Sequence, residues 1–111
     1  MITISDLIKE SHQTAIERGW WESERNFPEQ LMLMVSELSE VLEEFRIYGL
    51  NQDGFLQVEN GKPVGIAVEF ADLFVRVADT CGKYNIPLEE ALRLKLAYNK
   101  TRPYRHGGKL A

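Results

Sequence analysis

Four acidic residues recur in two pairs that share one spacing. Glu37 and Glu40 lie three residues apart in one apolar segment, and Glu69 and Asp72 repeat this spacing in a second apolar segment. Residues at positions i and i+3 of a helix share a face, with Cβ atoms about 5–6 Å apart. If the two faces meet, the four carboxylates repel one another and take up protons unless a cation lies between them. Mg²⁺ prefers such oxygen ligands and is the usual ion that holds phosphates in proteins.

The ordinary alternative is that each acidic stripe is a solvated helix face. The second segment weakens this alternative, because apolar residues such as Ile66, Phe70 and Phe74 cover most of its surface. A buried carboxylate without a partner is costly, and a divalent cation is the simplest compensation. Neither histidine, His12 or His106, follows a glutamate by three residues, which disfavours a di-iron site. With one cysteine and no histidine pair, zinc is disfavoured too. The donor set predicts Mg²⁺, with Mn²⁺ as the alternative.

Hydrophobic periodicity and end signals predict four helices. Thr3 with Asp6, and Asn26 with Glu29, have the spacing of residues that cap helix N-termini. The predicted helices run from about Ile4 to Arg18, from about Pro28 to Tyr48, from Pro63 or Val64 to Lys83, and from near Pro87 to Asn99 or Lys100.

The remaining segments are predicted to be loops. The stretch from Leu50 to Lys62 is rich in turn-forming residues, and Phe55 to Val58 within it is either a short strand or an ordered flap. The tail from Thr101 to Ala111 is predicted to be non-helical, because Pro103 opposes continuation of the fourth helix.

Taken together, the elements predict an all-α, four-helix bundle-like fold that forms a single domain over residues 1–111. The third helix is apolar on nearly every side, so we expect it to be central and buried. Helices this apolar cannot all be covered within so short a chain. We therefore expect a homodimer or homotetramer to complete the bundle.

Charge is unevenly distributed along the chain. The net charge is −4, yet residues 1–94 carry all 17 acidic residues, whereas residues 95–111 carry five basic residues and no acidic one. A basic end on an acidic, metal-binding body suits a ligand that is both anionic and metal-bound, such as a nucleoside triphosphate. A solvated basic terminus is the plain alternative. The acidic body disfavours nucleic acid as the main ligand.

Composition gives the expected compartment. No apolar run approaches the roughly 20 residues of a membrane span, and the N-terminus lacks a signal-peptide pattern. The single cysteine, Cys81, cannot form an intrachain disulfide and is predicted to be a buried structural thiol. We therefore expect a cytoplasmic protein without a membrane partner.

The acidic motif and the C-terminal sequence resemble those of the MazG-like all-α nucleoside triphosphate pyrophosphohydrolases of the small single-domain type. That family carries EExxE and, after a spacer, ExxD; here Ser36-Glu37-Leu38-Ser39-Glu40 is followed by Glu69-Phe70-Ala71-Asp72. The segment from Lys95 to Lys109 matches the family ending K-x-x-Y-N-x-x-R-P-x-x-H-G-G-K, and a Gly-Trp-Trp segment follows the first helix. The resemblance spans nearly the whole chain.

This resemblance implies a MazG-type domain and Mg²⁺-dependent hydrolysis of a (deoxy)nucleoside triphosphate between its α and β phosphates. The products would be the monophosphate and pyrophosphate, as in housekeeping of the nucleotide pool. Ser36 departs from the family motif, in which a glutamate at this place activates water in some members. Without that glutamate, the general base that activates water would be Glu40, Glu43 or Glu44, or a metal-bound water would react without a separate base. The implied metal ligands are Glu37, Glu40, Glu69 and Asp72.

Basic and aromatic residues are the candidates for substrate binding. Lys95 is a candidate catalytic cation, because positive charge stabilises a departing pyrophosphate, and it shares a helix face with Asn99. Adjacent tryptophans on one element point in different directions, so we expect one to pack and the other to stack on a base. The full set of candidates is Trp20, Trp21, Lys95, Tyr98, Asn99, Arg102, His106 and Lys109.

Two other classes of protein remain open from the sequence. A non-catalytic nucleotide- or RNA-binding helical module would explain both Ser36 and the basic tail. A purely structural helical interaction protein would explain the apolar helices and would show no stabilisation by Mg²⁺.

Overall fold

The computed structural model describes residues 1–110, with His106 described by its backbone alone. The chain is mostly helical and contains one small antiparallel hairpin, so the all-α expectation holds apart from that hairpin. The main helices are α1 (Ile4–Glu17), α2 (Phe27–Tyr48), α3 (Ile66–Tyr84) and α4 (Leu88–Thr101). A 3₁₀ turn (Gln52–Gly54) and the strands β1 (Gln57–Glu59) and β2 (Lys62–Val64) lie between α2 and α3, and the short helix α5 (Arg105–Gly108) follows α4.

The capping signals place two helix starts correctly. The Thr3 hydroxyl accepts from the Asp6 backbone N–H at 3.0 Å, and the Asp6 carboxylate accepts from the Thr3 N–H at 3.3 Å, which completes a capping box. The Asn26 side chain accepts from the Glu29 N–H at 2.8 Å, and α2 begins at Phe27, one residue before the predicted start. Side-chain acceptors therefore fix where α1 and α2 begin.

The predicted start of the third helix is wrong. Pro63 and Val64 belong to β2, whose register pairs Val58 with Pro63, and α3 begins only at Ile66. Gly65 causes this delay. It adopts φ 118°, and a Cβ there would collide with the carbonyl oxygen of Phe55. That same carbonyl accepts from the Ala67 N–H at 2.9 Å, which fastens the loop to the first turn of α3.

The predicted non-helical tail is also wrong in one part. Residues Arg105–Gly108 form the single turn α5, in which Gly107 and Gly108 both have positive φ. Pro103 opposes continuation of α4. The separate turn α5 follows it, and its two glycines adopt positive φ without steric cost.

The centre of the molecule is the packing of α1 and α2 against α3. The buried apolar residues are Ala15, Val41, Ala78 and Cys81, all on these three helices. Burial raises the pKa of the Cys81 thiol, as expected for a structural cysteine. α4 adds little to this core, and its N-terminal region touches α1, where Glu89 Oε1 accepts from the Ser5 N–H at 3.2 Å.

α3 is central, as expected, because α1 and α2 both pack on it, but the expectation that it is buried is wrong for much of its surface in the single chain. Phe74 is 58% exposed, and Phe70 and Val75 are also exposed. The radius of gyration is 16.7 Å, whereas a compact domain of this length has about 13 Å. The chain therefore leaves apolar faces uncovered. No helix in the described part of the chain combines the length and apolar character needed to cross a bilayer.

Gly65→Ala tests whether the left-handed residue positions α3. We expect this substitution to destabilise the fold by about 1–3 kcal/mol, because it adds both a strained φ and a clash with Phe55. Urea unfolding followed by circular dichroism measures the change. Gly54→Ala is the control, since a Cβ there meets nothing within 4 Å. Equal stability of the two variants would contradict the role of Gly65.

Candidate metal centre and the adjoining cavity

Three of the predicted acidic ligands meet between α2 and α3. Glu37, Glu69 and Asp72 each offer a carboxylate oxygen, and these atoms lie within 4.8 Å of one another. We call these three residues the acid cluster. Glu37 and Glu69 are half-buried, and Asp72 is exposed. The predicted convergence of the two acidic pairs is thus present for three of its four members.

Each member of the acid cluster is positioned by a regular helix. Glu37 lies four residues before the buried Val41, so both occupy the face of α2 that packs on α3. Glu69 lies in the first turn of α3, with Asp72 three residues on. The positive end of the helix dipole favours a carboxylate in this first turn.

The acid cluster is electrostatically strained. Burial is the main cause that raises the pKa of the Glu69 carboxyl above its ordinary value, and the charge of Asp72 is the next. Three carboxylates of α2 add further repulsion on Glu69, those of Glu40, Glu44 and Glu37. These groups therefore favour uptake of a proton or a cation.

Asp72 shows the same behaviour with partial compensation. Although the residue as a whole is exposed, partial desolvation of its carboxyl group raises the pKa, and the negative charge of Glu37 raises it further. The positive charges of Arg76 and Lys62 act in the opposite direction without cancelling the rise. Arg76 Nε also donates to Glu37 Oε1 at 2.7 Å, so one oxygen of the cluster already has a cationic partner.

Glu40 and Glu44 lie beside the acid cluster. Glu40 is exposed and Glu44 is half-buried on α2, and both are close enough for their charges to raise the pKa of Glu69. Glu40 is not one of the three residues whose oxygens meet, so its role as a ligand and the roles of both as bases stay predictions.

A cavity of about 450 Å³ opens beside the acid cluster. Its walls come from α1, α2, α3 and the turn after α1, and Glu37 and Asp72 form one side of it. This volume falls within the roughly 300–1,000 Å³ of small-molecule sites. Polar and aromatic side chains in the remaining wall include Ser11, Trp20, Trp21, Arg25, Gln30, Arg76 and Asp79.

The two tryptophans are held differently in the cavity wall. Trp21 is half-buried, and its Nε1 donates to Asp79 Oδ1 at 2.9 Å. The same oxygen lies 2.8 Å from His12 Nδ1, so Asp79 joins α3 to α1 and to the turn after it. Trp20 is 53% exposed, with the Arg25 guanidinium 5.1 Å from its ring centre. One tryptophan thus packs and the other is open, while stacking of a tryptophan on a base stays a prediction.

Lys95 on α4 and Arg102 directly after it gather around Tyr98 and not at the acid cluster. The Lys95 ammonium and the Arg102 guanidinium lie 5.3 and 5.6 Å from the ring centre of Tyr98. None of these three residues lines the cavity, and neither do the exposed Asn99 and Lys109. The side chain of His106 lies outside what the structure describes.

Sequence reasoning missed Gln30 and Asp79, two polar residues of the cavity wall, as site residues. It also missed His12, which does not line the cavity but contacts Asp79 from α1. His12 and Asp79 are 67 positions apart, so no local pattern joins them. Gln30 had a usable signal, because it lies seven residues before Glu37 and so shares its helix face.

Comparison with known proteins gives no relative: no protein-family model, curated protein or solved structure matches this chain.

Replacing Glu69 by glutamine tests the strain within the acid cluster. The stability contributed by protonated Glu69 is fully present below its ordinary pKa of 4.5 and is lost as the pH rises through the raised pKa of the folded protein. In EDTA at pH 7, we therefore expect Glu69→Gln to melt about 1–3 °C above wild type, a modest gain because the site is partly solvated.

The difference in melting temperature should close at about pH 4, where Glu69 is protonated in both states. Glu43→Gln is the matched control, since Glu43 is exposed on α2 and pairs with Arg46 at 2.9 Å outside the cluster. A Glu69→Gln variant that melts below wild type at pH 7 would contradict the electrostatic strain inferred for the acid cluster.

Proposed function

We propose that this protein is a Mg²⁺-dependent nucleoside triphosphate pyrophosphohydrolase. It would cleave (deoxy)nucleoside triphosphates between the α and β phosphates and release the monophosphate and pyrophosphate. The observation that carries the proposal is the meeting of Glu37, Glu69 and Asp72 at the edge of a cavity of nucleotide-binding size. The sequence resemblance to the MazG-like enzymes supports the same reaction.

The acid cluster suits a hard divalent cation. Its donors are all carboxylate oxygens, which Mg²⁺ and Mn²⁺ accept and which zinc sites rarely use alone. Arg76 occupies one oxygen of Glu37, while the raised pKa values of Glu69 and Asp72 mark negative charge that still lacks a full partner. When bound, Mg²⁺ would neutralise phosphate charge and orient the triphosphate for in-line attack.

The protein's own residues would supply the rest of the chemistry. An attacking water needs a carboxylate within hydrogen-bond reach to accept its proton. Glu40 and Glu44 are the candidates, because both lie on α2 near Glu69 while Ser36 cannot act as a base. Trp20 and Trp21 would border the nucleobase, since both line the cavity.

A second copy of the chain would complete this site. The cations assigned to the departing pyrophosphate, Lys95 on α4 and Arg102 directly after it, do not line the cavity. α4 is exposed along most of its length, and apolar residues of α2 and α3 are uncovered. A homodimer or homotetramer would cover these faces and bring α4 of one copy to the acid cluster of another.

One observation favours a second candidate function, a nucleotide- or RNA-binding module without catalysis. Lys95 and Tyr98 are exposed and Arg102 is half-buried, and together they form a cationic and aromatic surface. Surfaces of this kind bind single-stranded nucleic acid in many proteins. Such a module would bind without releasing pyrophosphate, and its affinity would fall steeply with salt.

The direct test of the enzyme is pyrophosphate release from a panel of NTPs and dNTPs with Mg²⁺. We expect Glu69→Gln to lower turnover by more than about 100-fold, because even residues that only support metal ligands cost 10–100-fold. Circular dichroism checks that the variant is folded.

Glu43 was a candidate base in the sequence, but it pairs with Arg46 and is not among the charges that act on Glu69. We therefore expect Glu43→Gln to keep wild-type turnover. Mg²⁺ should also raise the melting temperature of wild type and not of Glu69→Gln. Full activity in Glu69→Gln, or no pyrophosphate from any nucleotide, would refute the proposed enzyme.

The oligomer is tested by placing a charge on the uncovered face of α3. Phe74→Glu should convert the assembly to monomers, since a buried charge without a partner opposes association. Light scattering coupled to size exclusion measures the mass. Tyr104→Glu is the control, because Tyr104 is exposed outside the helix faces. A wild-type protein that elutes as a monomer at micromolar concentration would contradict the oligomer.

A further inference from the structure

Two polar side chains in the cavity wall are almost completely buried. Gln30 on α2 is 5% exposed, and Ser11 on α1 is 8% exposed. Both residues line the same 450 Å³ cavity as Glu37, Asp72 and the two tryptophans. Buried polar groups are normally satisfied by hydrogen bonds, so each such group needs a partner.

Gln30 lies on the inward face of α2 and has no side-chain partner within the described chain. It precedes Glu37 by seven residues, and Glu37 in turn lies one turn from the buried Val41, so the three share one face. Its backbone N–H donates to the Asn26 carbonyl at 3.2 Å. Among residues 1–110, no side-chain hydrogen bond involves its carboxamide. Within the described residues Thr80 Oγ1 is the one fully enclosed side-chain polar atom without a partner, so the Gln30 carboxamide is not sealed but borders the open cavity that it lines. A ligand in the cavity can therefore bond it directly.

The other polar groups of the cavity wall are less suited to distinguishing one ligand from another by hydrogen bonds. The Trp21 indole N–H is already used by Asp79, so Trp21 offers its ring and not its donor. The Arg25 guanidinium lies against Trp20. Ser11 presents a single hydroxyl, whereas a carboxamide places an N–H donor beside a C=O acceptor. Gln30 can therefore pair with two neighbouring groups on one planar edge.

We infer that Gln30 determines base specificity by hydrogen-bonding the edge of the nucleobase in this cavity. This inference rests on the proposed nucleotide substrate and adds the residue that would distinguish one base from another. The acid cluster on one side of the cavity sets the place of the phosphates, so the base extends toward the tryptophans and Gln30. A side chain with both a donor and an acceptor can discriminate between bases of similar shape. A base with the wrong hydrogen-bonding edge leaves the buried amide unsatisfied and binds less tightly.

The test compares affinities for α,β-imido analogues of the four deoxynucleoside triphosphates, which resist cleavage at this linkage, with the affinity for inorganic pyrophosphate. Titration calorimetry is performed with Mg²⁺ on the wild type, Gln30→Leu and Gln30→Glu. We expect Gln30→Leu to reduce the preference for the best base by about tenfold, the worth of one to two hydrogen bonds. Pyrophosphate affinity should not change, because pyrophosphate carries no base.

Gln30→Glu keeps the side-chain shape and replaces the donor with a second acceptor. We expect it to shift preference toward guanine, whose edge offers two adjacent N–H donors. This variant also keeps the test decisive if Gln30→Leu does not fold. Gln13→Leu is the matched control, since Gln13 is exposed on α1 and bonds Glu17 outside the cavity. Its base preferences should equal those of wild type.

Unchanged base preferences in both Gln30 variants would overturn the inference, as would a parallel loss of pyrophosphate affinity. A wild type that binds all four analogues equally would overturn it as well. Because binding is measured without turnover, the outcome is separate from that of the enzyme. A protein that releases no pyrophosphate but loses base preference in Gln30→Leu would refute the hydrolase and support the role of Gln30.

Discussion

The repulsion among carboxylates held between α2 and α3 is the constraint on which the rest of the site depends. Glu69 and Asp72 are fixed three residues apart on one helix, and packing of the helices brings Glu37 to them. Desolvation of the two carboxyl groups is the first cause of both raised pKa values, and the charges of neighbouring carboxylates add to it. A fold that keeps such an arrangement gives up stability unless a cation or a proton compensates.

Arg76 shows how far the protein compensates by itself. Its guanidinium bonds Glu37 and opposes the rise in the pKa of Asp72, but it is not among the groups that act on Glu69. Arg76 also lines the cavity, so the acid cluster and the cavity share a wall. A ligand that carries both negative phosphates and a divalent cation would match this mixture of charges better than either ion alone. This match is why we favour a metal-bound triphosphate as the substrate.

Local signals predicted the helices, and non-local contacts decided what the sequence missed. Thr3 and Asn26 act within three residues, so their caps could be recognised in the sequence. The late start of α3 depends on contact between Gly65 and Phe55, ten residues away, and the Trp21–Asp79 bond spans 58 residues. The meeting of Glu37 with Glu69 and Asp72 was predictable only because both helices carry the same spacing. The sequence places Gln30 on the helix face of Glu37, but its burial and its place in the cavity wall became visible only in the structure.

The position of α4 connects the fold to the proposed oligomer. A helix in contact with little of its own chain contributes little to the stability of that chain, and its place needs another explanation. Lys95 on α4 and Arg102 directly after it both lie over the ring of Tyr98, which keeps them together as one positive surface. Within one chain this surface and the acid cluster do not share the cavity, although a bound triphosphate would attract both. Association of two copies through the uncovered faces of α2 and α3 would bring opposite charges together and bury apolar area in one step. In that arrangement, binding of a triphosphate would stabilise the assembly, because a ligand held by both copies binds the oligomer and not the separated chain.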